Sequence, residues 1–380
     1  MLVMITRSPS SREEQQGVPE KLTDQGNQNM ACPATSEQHR DWHNLTMPDG
    51  TFRQFLVFRP KGLIMSKKVP VMFVWHGYAG DPEGIATITT MDQRIQKGLD
   101  DAGQPFMAVF PMGTGIIRGF NGAGSLHFGA WLLSKFSNLP FFCRCCVKGA
   151  NDVEFTKLMI AYLGTHMCAD TGNLFSTGFS NGGFMTQKLG CQMASQFRAV
   201  APHSGLMGRS FLCKPDAKVP FLSLIGTSDS VVPYNGTVNW LPFPRMVNRW
   251  LTINGCPDES KATVSHPTST TTCWRFDDCS ASGIQPQTSS GRTMQTLSGM
   301  VSRDSRMTRK LSWSEWGVGP DEVAVEAPDN DSLDVIPVQW CTVSGLPHVW
   351  SGSDLDEARH KDVHATDLIY NFFVSSLAST

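Results

Sequence analysis

Gly178-Phe179-Ser180-Asn181-Gly182 sets a serine between two glycines, each two residues away. A hydroxyl presented at the tip of a tight strand-to-helix turn needs small neighbours at those positions. The pentapeptide therefore reads as a nucleophile elbow, with Ser180 as nucleophile and Gly178 and Gly182 as its elbow glycines. A glycine-rich turn without chemistry carries the same signature. The flanks favour the elbow: Leu174-Phe175-Ser176-Thr177 is a short β-type run, and Met185, Leu189, Met193 and Phe197 recur at every fourth position, which predicts an apolar stripe along a helix.

A serine hydroxyl is a weak nucleophile near neutral pH and needs a base, with a third group to orient that base. In the α/β-hydrolase order the acid and then the base follow the nucleophile. Asp229 lies in Gly226-Thr227-Ser228-Asp229-Ser230, just past the apolar run Phe221 to Ile225, and His348 lies in Gly345-Leu346-Pro347-His348-Val349-Trp350, just past Val338 to Val343. Taken singly, Asp229 reads as a turn former or helix cap and His348 as a packing residue. Together they follow the right strands in the right order. His203 and His364 are the other candidates for the base, but neither occupies the loop after the final strand. Acyl transfer also requires donors for an oxyanion. One is expected from the backbone N–H of Asn181, at the start of a helix, where unpaired amides and the helix dipole favour negative charge. The other is expected from the N–H of Tyr78 in His76-Gly77-Tyr78-Ala79-Gly80, whose glycines permit close approach; an ordinary strand-ending turn is the alternative there.

The elements that must position these groups are legible in part. Gln54 to Phe58, Val69 to Trp75, Phe106 to Phe110, Ala199 to Ala201, Phe221 to Ile225 and Ile336 to Val343 read as strands, most of them continuously apolar. Helical sequence is expected within Ile85 to Ala102. Phe155, Leu158, Met159, Tyr162 and Leu163 form an amphipathic stripe, and Leu368, Ile369, Phe372 and Phe373 mark a last helix. Strands alternating with helices predict an α/β architecture, a mainly parallel sheet with helices on both faces. Residues 1–41 are polar and aperiodic and read as a flexible N-terminal tail; 281–334, rich in Ser, Thr, Gly and acidic groups, read as a polar insertion within a domain made of 42–280 and 335–380.

Lys+Arg 32 against Asp+Glu 34 gives a formal net charge of −2, so no nucleic-acid footprint or electrostatic membrane anchor is expected. No run approaches the ~18 apolar residues of a membrane span. Eleven cysteines, several beside polar loop sequence, favour disulfides and an oxidising compartment. No second Cys/His pair follows Cys143-Arg144-Cys145-Cys146 at ligand spacing, so disulfides are preferred there to zinc. Cys145 or Cys146 is expected to reach another loop near the sheet edge, and Cys256 to pair with Cys273, Cys279 or Cys341. The opening residues Met1 to Ile5 are shorter than the ~7–15-residue core of an export signal, so the extracellular or secretory localisation rests on the cysteines. Asn44, Asn235 and Asn330 stand in N-x-S/T triplets, which matter only in a eukaryotic secretory pathway.

With His76-Gly77, Asn151-Asp152-Val153-Glu154-Phe155, Gly178 to Gly183, Gly226 to Asp229 with Val232-Pro233-Tyr234, Asn254-Gly255-Cys256 and His348-Val349-Trp350-Ser351-Gly352 in view, the chain resembles secreted esterases of the polyhydroxybutyrate depolymerase, feruloyl esterase and acetyl xylan esterase group. The likeness runs from about Thr51 to Phe373. It implies an α/β-hydrolase fold, nucleophile, acid and base at Ser180, Asp229 and His348, an ester substrate and no cofactor or metal. Two positions depart from the group's pattern: Pro347 stands where Gly precedes the base, and Ser351 where Pro follows the Trp. The leading expectation is a serine carboxylic-ester hydrolase acting on feruloyl or acetyl esters of polysaccharide or on polyhydroxyalkanoate-type esters. Acyl transfer or peptide hydrolysis on the same triad is a second reading, and a catalytically silent binding protein with the hydrolase fold a third.

Overall fold

Val69–Trp75 is buried at every position, as a strand covered on both faces requires. The computed structural model describes residues 37–63, 68–122, 150–257, 259–279, 335–353 and 363–377. Among them the strands are β1 His39–Thr46, β2 Phe52–Arg59, β3 Val69–Trp75, β4 Met107–Pro111, β5 Ala169–Phe179, β6 Ala199–His203, β7 Phe221–Gly226, β8 Thr263–Ser265, β9 Thr271–Phe276 and β10 Val338–Val343. The helices are α1 Pro82–Thr89, α2 Met91–Ala102, α3 Asp152–His166, α4 Asn181–Gln192, α5 Phe243–Asn254 and α6 Ala365–Leu377.

The strands form one sheet in the order β1-β2-β4-β3-β5-β6-β7-β10-β9-β8. Its centre, from β4 through β3, β5, β6 and β7 to β10, is parallel, while β1, β2, β9 and β8 pair antiparallel at the two margins. Alternate side chains of one strand feed two cores. Val71, Phe73 and Trp75 of β3 join Phe155 and Met159 of α3, Phe184, Met185 and Leu189 of α4, and Met246 and Trp250 of α5. Met72 and Val74 join Ile85 of α1, Ile95 of α2, and Ile369, Phe372 and Phe373 of α6. Each fully buried aliphatic or aromatic side chain contributes about 1.5–3 kcal/mol of transfer free energy, so the parallel centre is the rigid part on which loops are mounted.

Several boundaries differ from the sequence expectation. β1 begins at His39, inside the stretch read as tail, because it zips antiparallel onto β2 from His39 opposite Arg59 to Thr46 opposite Phe52. Its alternating pattern of half-buried and exposed residues carries little apolar signal. The helical stretch before Ala102 is two helices: Asp81 caps α1 by accepting the Gly84 N–H at 2.7 Å, and Thr90, at φ 48°, breaks the run before α2. α4 ends at Gln192, so Met193 is its C-cap and Phe197 lies beyond it on the way into β6. β10 starts at Val338, after Pro337, and in α6 Leu368 is only half-buried while Tyr370 joins the buried face. β8 and β9 have no counterpart among the expected strands; their threonine-rich sequence lies at the sheet margin and forms no apolar block.

Cys256 pairs with Cys279, one of its three expected partners, while Cys273 pairs with Cys341 across the register of β9 and β10, a pairing the sequence did not indicate. Cys191 pairs with Cys213, and Cys168 is also disulfide-bonded. Cys143, Cys145 and Cys146 lie outside the described residues, as do 1–36, 281–334 and Asn330. The two ends that flank 281–334 are tied together: Cys279 N–H donates to the Ile336 carbonyl at 2.9 Å, and Ile336 N–H to Asp278 Oδ1 at 3.1 Å. Among the described residues no helix is long and apolar enough to cross a membrane, and no group of three or more His, Cys, Asp or Glu is arranged to hold a metal ion.

Candidate active site

β5 delivers Ser180 to the carboxyl edge of the sheet, and α4 starts at the next residue. Ser180 has φ 55° and ψ −115°, a strained conformation for a non-glycine residue that lifts its side chain out of the turn. The glycines are steric requirements. A Cβ on Gly178 would stand 2.6 Å from the backbone of Gly182, and one on Gly182 would meet the Trp75 and His76 carbonyls.

Asp229 follows β7 and His348 follows β10, and these strands are neighbours in the sheet. The loops therefore meet above the elbow. His348 Nδ1 is 2.7 Å from Asp229 Oδ2, and His348 Nε2 is 2.9 Å from Ser180 Oγ. A carboxylate only accepts, so Nδ1 carries the proton and Nε2 is left to accept from the serine hydroxyl. The other Asp229 oxygen, Oδ1, accepts the N–H groups of Val231 at 2.9 Å and Val232 at 2.7 Å. The turn-forming role and the role beside His348 thus belong to different oxygens of one side chain. Its side chain is fully buried while that of His348 is 16 % exposed, so the imidazole faces the solvent side and the carboxylate the interior. His348 stacks on Phe179 at 4.8 Å.

The expected oxyanion donors belong to α4 and to the loop after β3. Asn181 opens α4, where its N–H has no intrahelical acceptor. Gly77 brings the second loop alongside, since a Cβ added there would lie 3.5 Å from the Ser180 Cβ. This loop turns tightly, with Gly80 N–H bonded to the Gly77 carbonyl at 3.0 Å and Ala79 N–H to the Arg118 carbonyl at 2.8 Å, and it carries Tyr78 between them. His76 is its anchor. The Gly113 N–H donates to His76 Nε2 at 2.9 Å, which leaves Nδ1 as donor to the Gly77 carbonyl at 2.6 Å. Burial pushes the His76 pKa down to about 4, so this neutral tautomer persists at neutral pH.

Sequence reasoning assigns no role to the His76 ring, Phe120, Phe179 or the buried Asp152. Asp152 accepts from Arg53 at 2.8 Å and from the Asn121 N–H at 2.6 Å, fixing the segment that packs over α4. The Asn-Asp pair at the start of α3 is the available signal, since Asn151 caps the helix at Glu154 and leaves Asp152 to point inward. Of the rival bases, His203 is fully buried and His364 is exposed; His348 is the imidazole within hydrogen-bond reach of Ser180.

The mainly parallel sheet with helices on both faces has a counterpart among solved structures. An acetyl xylan esterase from Aspergillus awamori superposes with a TM-score of 0.50 over 88 % of this chain and 99 % of that one, at 12 % identity. This chain has the α/β-hydrolase fold. In sequence it is similar to feruloyl esterase B of Piromyces equi, 25 % identical over 240 residues that make up 60 % of this chain and 39 % of that protein. It is also similar to a probable feruloyl esterase C of Aspergillus clavatus, 32 % identical over 126 residues, 30 % of this chain and 43 % of that protein. The aligned part thus spans less than half the length of either relative. The likeness to feruloyl and acetyl xylan esterases read from the motifs is borne out by these relatives. No family model matches the chain.

Proposed function

We propose that this protein is a serine carboxylic-ester hydrolase working through an acyl-enzyme. The observation that carries the reading is the continuous hydrogen-bond path from Asp229 through His348 to Ser180, at 2.7 and 2.9 Å. Ser180 Oγ attacks the ester carbonyl carbon as its proton passes to His348 Nε2, and the carbonyl oxygen becomes an oxyanion facing the N–H groups of Asn181 and Tyr78. The C–O bond to the alcohol then breaks, the alcohol leaves with the proton from Nε2, and the acyl group remains on Oγ. Water gives a proton to Nε2, attacks the acyl carbon and releases the acid as Oγ recovers its hydrogen. Asp229 stays ionised and holds the imidazolium. The chemistry needs no cofactor.

The substrate class in this reading is a feruloyl or acetyl ester on polysaccharide, supported by the names of the relatives, with polyhydroxyalkanoate-type esters as the alternative. Secretion fits the seven disulfide-bonded cysteines among the described residues. Ser180→Ala is expected to lower hydrolysis of p-nitrophenyl acetate by at least about 10³-fold; retained turnover overturns the assignment. A panel of methyl ferulate, acetylated xylan and hydroxybutyrate esters identifies the preferred acyl group, and products formed with an added alcohol distinguish hydrolysis from acyl transfer.

A further inference from the structure

The proposed reaction uses one imidazole and leaves another buried beside it. His203 ends β6 and is 0 % exposed. Its backbone carbonyl accepts the Ser180 N–H at 3.1 Å. Its ring Nε2 is 3.3 Å from the N–H of Ser351, three residues past His348. A backbone N–H can only donate, so Nε2 carries no proton, and the ring proton sits on Nδ1, 3.2 Å from Ser204 Oγ. Burial pushes the His203 pKa down to about 3, which keeps the accepting form throughout the neutral range. The ring also stacks on Trp350 at 4.7 Å and meets Phe179 edge-on at 5.5 Å, and Phe179 in turn stacks on His348 at 4.8 Å.

One residue therefore holds the backbone of the nucleophile and the loop that carries the base. That loop needs holding. Residues 344–353 follow β10 as irregular backbone, and a base must be kept within about 0.5 Å of its productive position. Ser351 anchors the loop at three points. Its N–H reaches His203, its hydroxyl donates to the Val363 carbonyl at 2.8 Å, and its carbonyl accepts the Ala365 N–H at 3.1 Å. A proline at this position would have no N–H to offer.

We propose that His203 is a positioning residue for the reaction assigned to Ser180: its neutral imidazole accepts the Ser351 N–H and stacks on Trp350, and so keeps His348 within reach of Ser180. This rests on the ester-hydrolase reading. The test is steady-state hydrolysis of p-nitrophenyl acetate by His203→Phe, His203→Gln, Ser351→Pro and the double variant His203→Phe/Ser351→Pro. His203→Phe keeps the flat ring but loses the acceptor, and is expected to lower kcat about 10- to 100-fold with KM within about 2-fold. His203→Gln, whose Oε1 reaches the position of Nε2, is expected to stay within about 3-fold of wild type. In the Ser351→Pro background, where no N–H remains to be accepted, His203→Phe is expected to cost no more than about 2-fold.

Wild-type kcat in His203→Phe, or an equal loss in both backgrounds, overturns the proposal. If His203→Phe does not fold by circular dichroism, His203→Asn replaces it. The shorter Asn amide stops at the Nδ1 position, and equal activity of the Asn and Gln variants then overturns the idea. Fluorophosphonate labelling of Ser180 separates the two levels. Unlabelled wild type removes the hydrolase reading and this one with it, whereas labelled wild type with equally fast labelling of His203→Phe removes the positioning role alone.

Discussion

Asn181 and Phe120 bond to each other twice: the Phe120 N–H donates to Asn181 Oδ1 at 2.7 Å, and Asn181 Nδ2 donates to the Phe120 carbonyl at 3.0 Å. The side-chain amide thus mimics a strand partner and ties the segment after β4 to the first turn of α4. Asn181→Ala removes both bonds and is expected to lower kcat for p-nitrophenyl acetate about 10-fold or more, by loosening the residue whose N–H is the proposed oxyanion donor. Asn181→Asp keeps one acceptor, sets an oxygen against the Phe120 carbonyl and adds a negative charge where an anion develops, so its kcat is expected to fall below that of the Ala variant. The reverse order would show that this N–H does not serve the oxyanion.

Asp229 divides its oxygens between the Val231 and Val232 N–H groups and His348 Nδ1. Asp229→Asn can keep the turn with its amide oxygen but then points an NH₂ donor at Nδ1, which selects the wrong imidazole tautomer. A kcat loss of about 10²–10⁴-fold with little change in melting temperature is expected. Full activity in this variant would remove Asp229 from the mechanism.

The bonds from Cys279 to Ile336 and from Ile336 to Asp278 bring the ends of 281–334 together. We propose that this segment is an insertion into one catalytic domain. Replacing it with a short Gly/Ser turn is expected to leave a folded protein whose hydrolysis of p-nitrophenyl acetate is within several-fold of wild type, because closure cost changes only slowly with loop length. Loss of the folded state by calorimetry would refute the domain assignment.

Cys273 and Cys341 face each other in the β9–β10 register and enclose 68 residues of sequence separation. The paired Cys273→Ala/Cys341→Ala variant is expected to lose about 2–5 kcal/mol in urea unfolding. Under non-reducing peptide mapping, the seven described cysteines are expected to yield no free thiol.

His76 and His203 are both buried neutral, with pKa values pushed down by burial to about 4 and about 3. Between the unfolded value near 6.5 and these values the unfolded chain binds protons that the folded one does not. Stability is therefore complete above about pH 6.5 and declines as pH falls toward 4 and 3, each histidine contributing on the order of a few kcal/mol. Urea midpoints at pH 7 and pH 4.5 measure the decline, and His203→Gln is expected to reduce it. An unchanged slope in that variant would mean that His203 is not the buried titrating group.

The candidate site was legible in the sequence because its signals are local. The elbow needs glycines at fixed offsets from Ser180, each buried strand is a continuous apolar block, and Asp229 and His348 follow such blocks directly. The element order alone implied that these loops share one edge of a parallel sheet. Tertiary structure decided what depends on pairing between distant segments. β1 is a strand because β2 offers it a partner, and its own residues alternate too weakly to declare it. Thr90 splits one helical run in two through a left-handed turn that no side-chain pattern requires. His76, Phe120, Asp152 and His203 acquire their roles only when Gly113, Asn181, Asn121 and Ser351, in that order, arrive beside them. Hydrogen-bond partners tens of residues apart leave no periodic mark, so the sequence alone determined the candidates Ser180, Asp229 and His348, and the fold determined which residues pack and bond around them.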